Sequence, residues 1–239
     1  MSSMSAANNR CSQVNNSTMD TIRWIDLSHP IDGDTPVFPG DPPIEIEILD
    51  STSEPDRAGE RHLNCSRIAI CVHNGTHLDA PFHFFAQGRT IDQVPLGQCN
   101  GPATVIKLSP LAADTVIAPP DLQPWEASIR RTRRLLLNSG WYRRWKGEEY
   151  FQNHPVLSGE TARWLLGCGV ELIGVDFPSV DHPPFDAHIE ILGAGVLILE
   201  NLTNLDLLPH EGFEIATLPL ALVGRDGSPV RVAARLDSS

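Results

Sequence analysis

The eleven residues H-N-G-T-H-L-D-A-P-F-H, His73 to His83, cannot run as one helix. Asn74-Gly75 is a turn pair, and Pro81 lacks the amide proton that a helix interior needs. The other regular choice is extended chain, in which alternate side chains share a face. Period two then brings His73, His77, Asp79 and His83 to one side, with Gly75 and Pro81 between them. A turn at Asn74-Gly75 would change the angles without relieving the crowding. Either way, the fold has to accommodate three imidazoles and a carboxylate within one short stretch.

The flanking sequence reads mostly as short strands. I-R-W-I-D-L-S-H-P (22–30) is a strand that Pro30 interrupts, and I-E-I-E-I-L (44–49) alternates. Arg67–Val72 is β-branched and apolar and runs into the histidine segment. T-P-V-F-P-G-D-P-P (35–43) is a proline-rich loop, and the polar S-T-S-E-P-D-R-A-G-E (51–60) reads as a mobile one. Further strands are predicted at A-T-V-I-K-L (103–108), R-R-L-L-L-N-S-G (133–140) and V-E-L-I-G-V-D (170–176). Others follow at V-L-I-L-E-N-L (196–202), F-E-I-A-T-L-P-L (213–220) and P-V-R-V-A-A-R-L (229–236). S-G-E-T-A-R-W-L-L-G-C-G (158–169) has an N-cap serine, apolar residues at helical spacing and a terminal glycine, the pattern of a helix. D-A-H-I-E-I-L-G-A-G (186–195) reads as a shorter helix. Strands outnumber helices and the two are interspersed, which predicts an α/β domain with a mixed β-sheet and few helices. The Ser- and Asn-rich residues 1–20 read as a disordered tail or a partner-contacting arm, and 21–239 as one domain.

Charge and cysteine usage narrow the function. With 18 basic against 30 acidic residues, the net charge is −12. That balance opposes nucleic acid and anionic membrane surfaces, which both demand a basic face. No apolar run approaches the ~20 residues of a membrane helix. The five cysteines are scattered and lack a C-x-x-C pair, so a reducing, cytoplasmic compartment is expected. Cys65 and Cys71, near an apolar strand, read as packed core thiols.

A lone histidine is usually a surface or satisfied core residue. Four ligand-type residues on one segment are a different matter. Imidazole nitrogens with a carboxylate suit zinc, manganese or iron.

The string H-x-G-T-H-x-D-x-P-x-H resembles the signature of the bacterial kynurenine formamidase and cyclase family, which also includes isatin hydrolases. Further echoes are W-I-D-L-S (24–28), G-D-P-P (40–43), G-V-D-F-P-S-V-D (174–181), D-A-H (186–188), I-L-E-N-L (198–202) and the ending L-P-L-A-L-V-G-R-D-G-S-P-V-R (218–231). The resemblance spans about residues 22–236. It implies a swivelling β/β/α fold built into dimers or tetramers, with one or two divalent ions, zinc or manganese. It places one set of ligands on His73, His77 and Asp79. A second set shares Asp79 and adds His188 and Glu200, and the acid/base histidine falls on His83. Spacing alone does not single out His188 or Glu200.

The implied activity is hydrolysis of a small-molecule amide, foremost an aryl formamide such as N-formyl-L-kynurenine. The alternatives are a cyclic amide of the isatin type or another small ester or lactam, and a non-catalytic metal-binding oligomer. Trp24 is a candidate to stack on an aromatic substrate, or a packed strand residue. Phe177, if turned inward, would narrow the pocket. Phe38 reads as core packing, or else as a further wall.

Overall fold

Strands buried on both faces build the centre of the fold. In the computed structural model, which describes residues 22–53 and 61–236, the chain forms thirteen strands. They are β1 (Arg23–Asp26), β2 (Glu45–Asp50), β3 (Cys65–Ala69), β4 (His77–Asp79), β5 (Gly101–Lys107), β6 (Val116–Ile117), β7 (Arg134–Asn138), β8 (Val156–Leu157), β9 (Leu172–Val175), β10 (Leu197–Glu200), β11 (Phe213–Thr217), β12 (Gly227–Pro229) and β13 (Val232–Leu236). The helices are short: α1 (Leu96–Cys99), α2 (Pro119–Leu122), α3 (Glu126–Thr132), α4 (Gly159–Gly167) and α5 (Asp186–Gly193). The tail 1–20 and most of the polar loop, 54–60, lie outside the described residues.

Nine strands share one sheet, in the order β1-β13-β11-β5-β7-β9-β10-β4-β12. The central β5, β7, β9 and β10 run parallel, and the pairs on both flanks are antiparallel. Parallel neighbours need crossovers, which α3, α4 and α5 supply between β5, β7, β9 and β10. Ser158 opens α4 as predicted: its side chain accepts from the Thr161 amide, a cap that contributes about 1 kcal/mol.

The pleat sends neighbouring residues to different cores. Leu135 and Leu137 pack with Ile129 of α3, Leu165 of α4 and Ile191 of α5. Leu136, between them, packs on the other face with Leu172, Leu197 and Leu199. That second core also gathers Ile25, Ile215 and Val232 from one end of the sheet and Leu78 from the other, so the sheet curls around it. Closure is backbone-bonded: the Thr203 amide donates to the Leu27 carbonyl at 3.0 Å. The mixed α/β architecture with few helices is therefore as the strand count predicts.

Three local expectations are corrected. The period-two reading of 73–83 holds only for β4; Gly75 turns the chain at φ +66°, and Pro81–His83 is a 3-10 turn. Cys65 is exposed and Cys71 half-buried, because β3 pairs only with β2 in a hairpin outside both cores. Helix α3, within a proline-punctuated stretch, was not predicted.

Candidate metal centre

Strand β4 places the centre. His77 and Asp79 point to one face, while Leu78 between them is fully buried in the curled core. Burying that leucine contributes about 2 kcal/mol and fixes which way its neighbours face. Strand β10 is antiparallel to β4, and Glu200 ends it opposite His77. Asp226 immediately precedes β12, the neighbour of β4 on its other side. Helix α5 brings in His188. His73 arrives through a turn in which the Asn74 side chain accepts from the Cys71 amide at 3.1 Å.

The residues expected from sequence converge, with the exception of Trp24. His77 Nε2 lies 3.3 Å from Asp79 Oδ1 and 3.4 Å from Glu200 Oε2. His188 Nε2 lies 3.6 Å from Glu200 Oε1 and 3.9 Å from Asp79 Oδ2. Ligands held at about 2.1 Å around a tetrahedral ion are spaced by roughly 3.4 Å. These gaps fit the edges of a coordination polyhedron better than hydrogen bonds. Two sets have donor atoms mutually within 4.8 Å: His77, Asp79 and Glu200, and His73, Asp79 and His83. Asp79 belongs to both.

The outer atoms of the rings are tied down. His77 Nδ1–H donates to the Gly75 carbonyl at 2.9 Å, and His188 Nδ1–H to Asp181 at 2.6 Å, which turns both Nε2 atoms inward. Asp181 is itself held by the Ala187 amide at the start of α5. His73 has a carboxylate oxygen 2.7 Å from each nitrogen, Asp79 at Nδ1 and Asp226 at Nε2. That arrangement calls for a protonated ring, or for a cation in place of one proton.

Electrostatics make the same demand. Burial lowers the pKa of His77, but the carboxylates of Asp79 and Glu200 outweigh it and push it up to about 10. Burial likewise works against the charged form of His188, and Asp181 and Glu200 outweigh it, raising its pKa. Asp79 is held well below the usual carboxylate range: burial opposes ionisation, and His73 and His77 overcome it. Asp79 Oδ2 is buried without a hydrogen-bond partner. A pair of buried carboxylates, an orphaned oxygen and inward imidazole nitrogens fit a divalent cation. His83 differs. Burial lowers its pKa, with His73 and His188 pushing the same way.

The centre floors a cleft of about 370 Å³ whose walls include Pro36, Phe38, Phe84, Phe151, Pro178 and Phe185. Phe38 is thus a wall, meeting Phe151 edge-on at 5.8 Å. Trp24 does not line it. That ring is 57% exposed on β1, beside Asn100, Glu214 and Arg235. Phe177 is fully buried in the helix-side core and leaves the cleft its full width. Asp181 and Asp226 were not assigned from sequence. Both sit in strings already noted, 174–181 and 218–231, but only the fold brings them to the histidines.

The family model described as "Putative cyclase" matches residues 25–182. The chain belongs to the cyclase family. A kynurenine formamidase of Bacillus cereus is 36% identical over 222 residues, covering 91% of this chain and 99% of the relative. That of Bacillus anthracis is 35% identical over the same span. Isatin hydrolase A from Labrenzia aggregata superposes with a TM-score of 0.80 at 28% identity, over 90% of this chain and 94% of that one. The enzyme from Ralstonia solanacearum gives 0.77 at 27%, over 93% and 100%. This cyclase-family chain thus shares its fold with solved hydrolases over about nine-tenths of its length.

Proposed function

We propose that the protein is a metal-dependent amide hydrolase acting on an aryl formamide such as N-formyl-L-kynurenine, releasing formate and the aryl amine. The observation that carries it is the pair of ligand sets meeting at Asp79, on the floor of a cleft walled by phenyl rings. Curated kynurenine formamidases at 36% identity support the same reading.

In this reading one or two divalent ions are held among His73, His77, Asp79, His188 and Glu200. The family resemblance groups His73 and His77 with Asp79 and His188 with Glu200, whereas the distances put His77 with Glu200 and bring His83 beside His73. Zinc is the first assignment and manganese the next, since such N/O sets accept both. A bound ion supplies Lewis acidity toward the amide carbonyl and acidifies water. The phenyl walls hold the aryl ring so that its amide lies over the floor. His83, neutral at pH 7, takes a proton from the attacking water on a ring nitrogen and returns it to the departing amine. Asp181 holds the His188 ring in one orientation.

A cyclic amide of the isatin type is the second reading, favoured by the fold shared with isatin hydrolases at a TM-score of 0.80. Measuring formate release from an N-formyl aryl amide beside isatinate formation from isatin separates the two. Formate release should dominate; dominant isatinate formation would reverse the order.

We also assign a homo-oligomer in the cytoplasm. Four described cysteines are free thiols, consistent with a reducing compartment. Among the described residues, no helix is long and apolar enough to cross a membrane. The β2–β3 hairpin exposes Ile46, Ile48 and Ile68, and β1 exposes Trp24, apolar surface suited to a second copy. Light scattering should give at least twice 26.2 kDa; a monomer mass at micromolar concentration would contradict it.

A further inference from the structure

Asp226 has no role in the reading above, yet it touches two of its histidines. Its backbone carbonyl accepts from the Ala80 amide at 2.9 Å, which pins it beside the end of β4. Its Oδ2 lies 2.7 Å from His73 Nε2 and 3.6 Å from His83 Nδ1. Those two rings lie against each other, centroids 4.0 Å apart and tilted by 34°. The next residue makes room for this. A Cβ on Gly227 would fall 2.8 Å from His73 Cε1, closer than carbon atoms pack.

His77 is held from outside by the Gly75 carbonyl, and His188 by Asp181. In each case one ring nitrogen is tied and the other is presented to the carboxylates. For His73 the outer acceptor is Asp226, which leaves Nδ1 turned to Asp79. Unlike His77 and His188, His73 is partly exposed, with 21% of its side chain accessible, so packing alone restrains it less.

We propose that Asp226 is a positioning residue of the metal centre. Its carboxylate fixes the His73 ring with Nδ1 toward Asp79, and the fixed His73 ring in turn backs the His83 ring that lies against it. The inference rests on the reading of His73 as a metal ligand. A carboxylate behind a ligating imidazole fixes the ring's orientation and raises its basicity, and losing it typically weakens metal binding 10- to 100-fold. Asp226 does not contact substrate in this account; it acts through the two rings.

The test uses the full-length protein as wild type, Asp226→Asn and Asp226→Ala, stripped of metal and titrated with zinc alone against a chromophoric chelator. The Asn variant keeps the volume and one acceptor oxygen; near-ultraviolet circular dichroism checks that both variants fold. Zinc affinity should fall about 10- to 100-fold in the Ala variant and by a smaller factor in the Asn variant. At saturating zinc, kcat should fall while KM changes less, because His83 loses its alignment and the phenyl walls do not. Wild-type zinc affinity in both variants would overturn the inference while leaving the metal reading intact. Loss of the fold in the Asn variant would overturn it too, by assigning Asp226 to stability. A wild-type protein that takes up no zinc or other divalent ion would overturn the metal reading itself, and this inference with it.

Discussion

Glu200 stands directly opposite His77 across the antiparallel pair β10–β4. Asp79, two residues beyond His77, shares its face because side chains along a strand alternate. Three of the five proposed ligands are thus set by one strand pairing, and a one-residue slip of β4 would turn His77 and Asp79 into the core. Leu78, fully buried, opposes that slip.

Within this geometry His77 and His83 should respond differently to removal. His77→Ala is expected to lose bound metal and activity together. His83→Ala should keep its metal while kcat drops 10²- to 10⁴-fold, a barrier increase of about 3 to 5 kcal/mol. Metal content and turnover, measured on both in one buffer, check this. His83 lies within ligand reach of His73 and Asp79, so parallel metal loss in the two variants would make it a ligand.

Substrate ring recognition should reside in the phenyl walls. Phe151→Ala removes the ring that meets Phe38 edge-on in the cleft. KM for an aryl formamide should rise about tenfold, some 1.4 kcal/mol, with kcat changing less. Formamide itself, which has no ring, should be cleaved by the variant and the wild type at similar rates. Equal loss on both would show that Phe151 supports the centre rather than the ring.

What the sequence disclosed follows physical range. Period-two alternation marked β2, a short apolar run ending in a glycine turn marked β7, and the Ser158 cap marked α4, because these signals are local. Helix α3 escaped: it has seven residues, follows Pro119, Pro120 and Pro124, and ends on Arg133 at φ +61° where glycine is the usual signal. Cys65 and Cys71 were misread because local sequence does not tell a detached hairpin from a core strand. His73, His77, Asp79 and His83 were legible as a cluster on one segment. His188 and Glu200 came only through family resemblance. Asp226, 153 positions from His73, is brought there by β12 pairing with β4. Trp24 shows the converse: an aromatic in a matching string that the fold places away from the cleft.

A buried histidine outside the centre should shape stability. His154 is 1% exposed, and its Nδ1–H donates to the Pro155 carbonyl at 2.9 Å. Burial, reinforced by His182, lowers its pKa from 6.5 to about 4. Above pH 6.5 both folded and unfolded forms are neutral, and the contribution is complete. As pH falls toward 4, the unfolded chain takes up a proton that the folded chain refuses, so stability drops. Between pH 7 and pH 5 this amounts to about 2 kcal/mol. Denaturant unfolding at the two pH values should show a difference smaller by that amount in His154→Leu. An unchanged difference would place the titration elsewhere.

Metal removal and return tests the central claim most directly. Protein stripped by a chelator and freed of it should release no formate from an N-formyl aryl amide. One or two equivalents of zinc or manganese per chain should restore turnover. Stripped protein, shown by elemental analysis to hold no divalent ion and yet hydrolysing at the full rate, would contradict the account.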